Sequence, residues 1–252
     1  MKLAIIGGSL LSNVNNLTQA TEERIKTPYG EPSADFSLGK IHNIDIVYLN
    51  RHGTGHHLAP HQINYRANMF ALKLLEVTHI IAVAAVGGIT EKMSPMKFVV
   101  PDQIIDYTYG RMQTYNDGDD SEVKHIDFSY PFDEYLRKKL KAAVTKETMD
   151  CVTQATYGAM QGPRLETIAE IKRMQQDGCD IVGMTGMPEA ALARELEMDY
   201  ANLSLVVNWA AGAGAAAGKS PEIISMEEIK QRVVEGDTIV EKIIDNLTTL
   251  LN

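Results

Sequence analysis

Three stretches of this chain place anion-binding chemistry at the end of a short apolar run. Ile5-Ile6-Gly7-Gly8-Ser9 ends one run with two glycines, through which backbone amides approach an anion, and with a serine hydroxyl as a further donor. The spacing does not fit the dinucleotide fingerprint, because Leu10 and Leu11 follow. Arg51-His52-Gly53 closes a second run; the arginine fork matches phosphate oxygens, and an oriented imidazole adds a donor. Gly183-Met184-Thr185-Gly186-Met187-Pro188-Glu189 reads as strand, small-residue turn and helix N-terminus, again a geometry that holds anions. Taken singly, the first is equally a tight turn and the second an exposed loop pair.

Other groups suit a planar heterocycle. In Gln161-Gly162-Pro163-Arg164-Leu165-Glu166-Thr167 a turn opens a helix. Glu166 there is either a solvated first-turn carboxylate or an inward acceptor for a proton-bearing ring nitrogen. Asn208 ends an apolar run with both a donor and an acceptor, enough to read two adjacent atoms of a base. In Ala84-Ala85-Val86-Gly87-Gly88 small residues let a ligand lie against the backbone, and equally allow close helix–strand packing. His52, His56, His57 and His61 suggest a metal site, since H-x-x-x-H puts two ligands on one helical face. Gly53, Gly55 and Pro60 argue against a helix there, and no metal is expected.

These residues need a frame. Leu3–Ile6, Ile44–Leu49, Ile80–Val86, Asp180–Met184 and Leu203–Val207 read as buried strands, several running into small residues as strands do at the ligand edge of an α/β sheet. Helices are expected over Asn64–Leu75, over Glu166–Gln176 with Ile168, Ile171 and Gln175 inward and Gly178 as the stop, and after Pro188. The last helix starts near Ser225, with Glu228 as capping-box partner and an apolar stripe of Ile229, Val233, Val240, Ile244, Leu247 and Leu251. Ala210–Gly218 is glycine- and alanine-rich and reads as a mobile surface loop.

The 252 residues suffice for one large α/β domain or two small ones, and no boundary is evident, so residues 1–252 are expected to form one domain. The net charge of −9 argues against a nucleic-acid backbone or an anionic membrane as partner. No apolar run is long enough to span a bilayer and nothing reads as a signal peptide. Cys151 and Cys179 show no metal spacing; they form one disulfide or two reduced thiols, the thiols fitting the cytoplasmic location expected here.

Taken together, IIGGS at 5–9, RHG at 51–53, PHQINYRAN at 60–68, AVGGI at 85–89, GPRLET at 162–167 and GMTGMPEA at 183–190 resemble the trimeric purine nucleoside phosphorylase and methylthioadenosine phosphorylase family. Within it the chain is most similar to the bacterial S-methyl-5′-thioinosine phosphorylases. The resemblance implies a single α/β domain with a central mixed, twisted sheet flanked by helices, a homotrimer, inorganic phosphate as co-substrate, and neither metal nor organic cofactor. By position it assigns Ser9, Arg51, His52, the Ala84–Ala85 backbone and Thr185 to phosphate, Met184 to the ribose, and Glu166 and Asn208 to the purine. Arg51, His52 and Asn208 become the catalytic groups. Met226 and Ile229 line the 5′ pocket, to which a neighbouring subunit adds His125. Two departures stand out: Ala84 replaces a usual threonine, and Leu165 replaces an aromatic that often stacks on the base. The adenine-specific branch tends to carry serine at Glu166 and aspartates at Asn208 and Ala210, so this chain points to a 6-oxopurine. Methionine at 226, where enzymes taking a free 5′-hydroxyl tend to have histidine, points to a methylthio group. S-methyl-5′-thioinosine is the expected substrate, with methylthioadenosine and inosine or guanosine as alternatives, and a non-catalytic purine-binding protein as a remote one.

Overall fold

Strand β5 (His79–Gly88) is bordered by more of the sheet than any other strand, and that sharing creates the site. The computed structural model describes residues 1–116, 123–215 and 224–252. In chain order the further strands are β1 (Lys2–Gly7), β2 (Thr18–Glu23), β3 (Phe36–Ile41), β4 (Ile44–Asn50), β6 (Phe98–Val99), β7 (Gln103–Asp106), β8 (Cys151–Val152), β9 (Thr156–Ala159), β10 (Ile181–Gly183) and β11 (Asp199–Trp209). The helices are α1 (Tyr65–Leu74), α2 (Glu134–Lys146), α3 (Ile168–Gln176), α4 (Gly186–Glu195) and α5 (Met226–Leu251). The strands form one mixed sheet in the order β2-β3-β4-β1-β5-β10-β9-β7, with β11, β6 and β8 branching from β5.

Along one edge of β5, β1 pairs in parallel with residues 79–82 and β10 antiparallel with residues 87–88; β11 runs in parallel along the other edge. The stretch Val83–Val86 therefore has no strand partner on the first edge. Ligands in open α/β sheets bind where neighbouring strands diverge in this way.

The expected strands and helices are present to within a few residues. β1 and β11 are buried on both faces, which is why they read as largely apolar runs, with the polar Asn202 and Ser204 of β11 hydrogen-bonded to each other. One face of the sheet is covered by α1 and α4, whose Met69, Leu72, Ala190 and Leu192 join its core. The opposite face carries α2 packed on α5, with Leu136, Leu140, Val240, Ile243, Ile244 and Leu247 buried. Ser225 caps α5 by accepting from the Glu228 N–H, but the reciprocal half of the capping box does not form, because the Glu228 carboxylate binds Arg232. In α3, Thr167 and Glu170 do form a capping box, and the buried pair is Ile171 and Met174. Gln175, expected inward, is solvent-exposed, and Ile168 is 48% exposed. β2, exposed throughout and lying at the end of the sheet, gave no apolar signal in the sequence.

The glycine-rich patch was expected as surface loop from Ala210. Ala210 is instead 2% exposed and packs with Val182 and Ile89, because its N–H continues the strand register onto the Gly88 carbonyl. Residues 213–215 form a short 3-10 turn, and the part of the patch at 216–218 lies outside the described residues. Both cysteines are free thiols, Cys179 buried and Cys151 half-buried.

Candidate active site

The gap beside Val83–Val86 opens into a cavity of about 450 Å³. Its walls come from the C-terminal ends of β1, β4, β5, β10 and β11, the turn after β9, and the N-terminus of α5. Ser9, Arg51, His52 and Thr185 line it together with Ala84, Ala85 and Met184 and with Glu166 and Asn208. Leu165, Met226 and Ile229 form an apolar part of the rim. Thus every residue expected at the site lines this single cavity, except His125 and Ala210. His125 is exposed on this chain and does not line the cavity. Ala210 is buried behind the wall, next to Gly87.

The Gly7-Gly8-Ser9 turn is set by contact rather than by free amides. A Cβ on Gly7 would lie 2.0 Å from the Leu11 carbonyl oxygen, so only glycine allows the chain to fold back so tightly. The Gly8 N–H donates to the Leu10 carbonyl at 2.9 Å, leaving Ser9 as the exposed donor of the turn.

Arg51 is 1% exposed, an unusual position for a surface-type residue. Its Nε and Nη2 grip both oxygens of the buried Glu189 at 3.0 and 2.9 Å. Its Nη1 donates at 2.7 Å to the Val83 carbonyl, one left free by the strand divergence, and Nη2 reaches the Ile6 carbonyl at 3.4 Å. Four of the five guanidinium N–H groups are thereby used, and the fifth, on Nη1, remains for a ligand. Burial alone would push Arg51 down; the Glu189 carboxylate more than reverses this and holds the guanidinium above its ordinary value. Tyr200 donates to Glu189 at 2.8 Å and completes the network. Since the buried pair is neutral overall, Arg51 offers direction more than net charge.

His52 Nδ1 lies 2.8 Å from the Leu58 carbonyl, which can only accept, so Nδ1 carries the proton. Nε2 faces the turn at Gly8: a Cβ there would lie 3.5 Å from Nε2 and 3.0 Å from Arg51 Nη1. Burial pushes the imidazole down to about 4, so the ring is neutral at pH 7. The sequence reading gave His52 a donor's role. The neutral ring here presents an acceptor, which suits a phosphate oxygen that still bears a proton. His56 stacks on His52 with ring centroids 4.2 Å apart and also lines the cavity. No group of three or more metal-ligating side chains occurs among the described residues.

Thr185 stands at the N-terminus of α4, and its side chain caps no helical N–H. Glu166 precedes the α3 cap residue Thr167 and is 9% exposed, so the solvated first-turn reading does not hold. Burial raises its carboxyl above the usual range. Asn208 follows a register shift in β11 between Val206 and Asn208, a bulge that re-aims side chains. Its Nδ2 donates one proton to the Trp209 carbonyl at 2.7 Å, leaving a second amide proton and the carbonyl oxygen.

This arrangement coincides with a known family. The model described as "Phosphorylase superfamily" matches residues 2–247. The chain belongs to that superfamily. It is 50% identical over 233 residues to a probable S-methyl-5′-thioinosine phosphorylase of Pseudomonas syringae pv. tomato, covering 92% of each chain. It is 42% identical over 234 residues to a 6-oxopurine nucleoside phosphorylase of Pyrococcus furiosus, covering 91% of this chain and 87% of that one. Among solved structures, a methylthioadenosine phosphorylase from an Antarctic soil metagenomic library superposes with a TM-score of 0.90 at 36% identity, over 99% of this chain and 86% of that one. As a superfamily member the chain has one feature that its motifs did not announce. Glu189 sits inside the GMPEA stretch and is wholly buried against Arg51.

Proposed function

We propose that this chain cleaves S-methyl-5′-thioinosine with inorganic phosphate, releasing hypoxanthine and 5-methylthioribose 1-phosphate. The observation that carries the reading is the convergence of the site residues on one cavity. Anion-directed groups (Ser9, Arg51, His52, Thr185), Met184, heterocycle-reading Glu166 and Asn208, and apolar Met226 and Ile229 all line it. The relatives named for methylthioinosine and 6-oxopurine phosphorolysis support it.

A phosphate oxygen attacks C1′ while the C1′–N9 bond breaks, its electron pair passing to the purine. Arg51 Nη1, Ser9, Thr185 and the exposed edge at Ala84–Ala85 hold the phosphate, and the His52 Nε2 lone pair accepts from its P–OH. Negative charge grows on the purine as the bond breaks, so an Asn208 amide proton bonded to N7 gains strength in the transition state. The Glu166 carboxylate accepts the N1–H of a 6-oxopurine. The thioether of Met226 and the side chain of Ile229 pack a methylthio group better than a hydroxyl. Phosphate is the co-substrate, and this chemistry requires no metal or organic cofactor. His125 meets the cavity only if a second copy presents it, as in the expected trimer.

Burial of Glu166 favours a second reading. A protonated carboxyl would donate to the bare N1 of adenine, making methylthioadenosine the better substrate as pH falls. The test is turnover of S-methyl-5′-thioinosine, methylthioadenosine and inosine, each with and without phosphate, at two pH values. Phosphate-dependent hypoxanthine release, fastest from methylthioinosine at neutral pH, is expected. Preference for methylthioadenosine at neutral pH overturns the 6-oxopurine assignment, and cleavage without phosphate overturns the reaction class.

A further inference from the structure

Arg111 lies outside every motif singled out in the sequence and outside the cavity lining, yet it is 9% exposed and bonded throughout. Its Nε donates to Gln161 Oε1 at 3.1 Å, and Nη2 to the carbonyls of Gln161 at 2.8 Å and Met160 at 3.3 Å. Its Nη1 donates to the carbonyls of Met184 at 2.8 Å and Met187 at 2.6 Å and to the Tyr65 hydroxyl at 3.2 Å. The guanidinium also lies over the Tyr65 ring, 5.4 Å from its centroid. All five N–H groups are used. No carboxylate is within ion-pair distance among the described residues, so backbone dipoles, not a counter-charge, hold this cation.

Those acceptors belong to two loops with different tasks. Met160 and Gln161 begin the turn after β9 that leads to Leu165 and Glu166, the proposed purine-reading side. Met184 precedes Thr185 in the turn after β10, and Met187 follows it in the first residues of α4, beside the ribose- and phosphate-directed groups of the proposed site. The loops touch where Gly162, at φ +60, lies against Met184; a Cβ on Gly162 would come within 2.4 Å of the Met184 sulfur. Among the described residues no other charged side chain is hydrogen-bonded to both loops, and a planar fork suits such divergent acceptors where a point ammonium does not.

We propose that Arg111 is a positioning residue that sets the distance between the purine-reading loop and the ribose–phosphate loop, so that Glu166 and Thr185 engage the two ends of one nucleoside–phosphate pair together. This rests on the phosphorylase reading. Its role is geometric: it touches no substrate and acts through the carbonyls of Met184 and Gln161. A misplacement of about 1 Å between groups that must act together costs on the order of 10²-fold in rate.

The test uses the full chain with Arg111→Ala and Arg111→Lys, each checked by thermal unfolding and assayed for kcat and for KM of nucleoside and phosphate, with and without methylguanidinium at non-denaturing concentration. Wild-type turnover tests the phosphorylase reading separately. For folded Arg111→Ala, kcat/KM is expected to fall about 10²-fold for both substrates and to recover several-fold with methylguanidinium but not with methylammonium. Should the alanine variant not fold, Arg111→Lys decides: it retains the charge but not the fork, and is expected to fold with kcat/KM reduced at least tenfold, roughly. Near-wild-type kinetics in either variant, or a loss in folded Arg111→Ala that methylguanidinium does not answer, overturns the proposal.

Discussion

Replacing Glu189 with glutamine changes almost no volume but leaves Arg51 as a buried cation without its counter-charge. In the intact protein the carboxylate takes two guanidinium N–H groups at 2.9 and 3.0 Å and the Tyr200 hydroxyl at 2.8 Å. A glutamine amide supplies one acceptor oxygen for three donors and turns its own NH2 toward a further N–H. Breaking one side of a buried ion pair costs about 3–5 kcal/mol. For a chain of this size each 1 kcal/mol moves Tm by roughly 2–4 °C, so a fall of roughly 6–20 °C is expected. Inorganic phosphate reverses part of the fall, because an anion beside Nη1 restores the missing charge; it should therefore raise Tm more in Glu189→Gln than in the wild type. Adding Arg51→Met to the variant removes the orphaned cation and should recover stability, since the cost lies in the unpaired charge and not in the loss of the pair. The assay is thermal unfolding of the three proteins with and without phosphate. A Glu189→Gln protein within about 2 °C of wild type would refute the idea that Arg51 is held by a fully desolvated carboxylate.

Three further outcomes follow from the site. Burial drives His52 down to about 4 from an ordinary 6.5, so between those values the unfolded chain binds more protons than the folded one. Stability should fall as pH drops through that window, by on the order of 3 kcal/mol, and His52→Asn should lose this component; urea unfolding with equal pH slopes in both proteins would contradict it. Burial raises the Glu166 carboxyl, and its ionised form accepts N1–H more strongly than the protonated one, so hypoxanthine affinity should weaken on acidification at a pH above the ordinary carboxylate range. Calorimetric titration across pH should show that dependence flattened in Glu166→Gln; an unchanged profile removes Glu166 from the purine. Met226→His should shift the ratio of kcat/KM values toward inosine by roughly tenfold, and no shift would remove Met226 from the 5′ pocket.

The β1, β4, β5 and β11 runs were legible because strands buried on both faces along most of their length are largely apolar. α5 was legible from a 3.6-residue stripe and a serine cap. β2 was not, because an exposed edge strand needs no apolar residue, and the Gln175-for-Met174 error in α3 came from extending a periodicity one residue past the face that packs. The motifs named residues that line the one cavity, since anion binding and base reading, the chemistry proposed here, need particular residue types after particular turns.

What the sequence by itself determined about this protein is therefore its main buried strands, its superfamily and the residue types that line the cavity, all of which are local patterns of residue type. Only the tertiary structure decided their electrical and geometric state. Neither the neutralisation of Arg51 by Glu189, 138 positions away, nor the accepting face of His52, set by the Leu58 carbonyl, is a property of any local pattern. The same holds for the tying of two loops by Arg111. Partial charges act through space, and burial, which fixes their strength, exists only once distant segments have packed together.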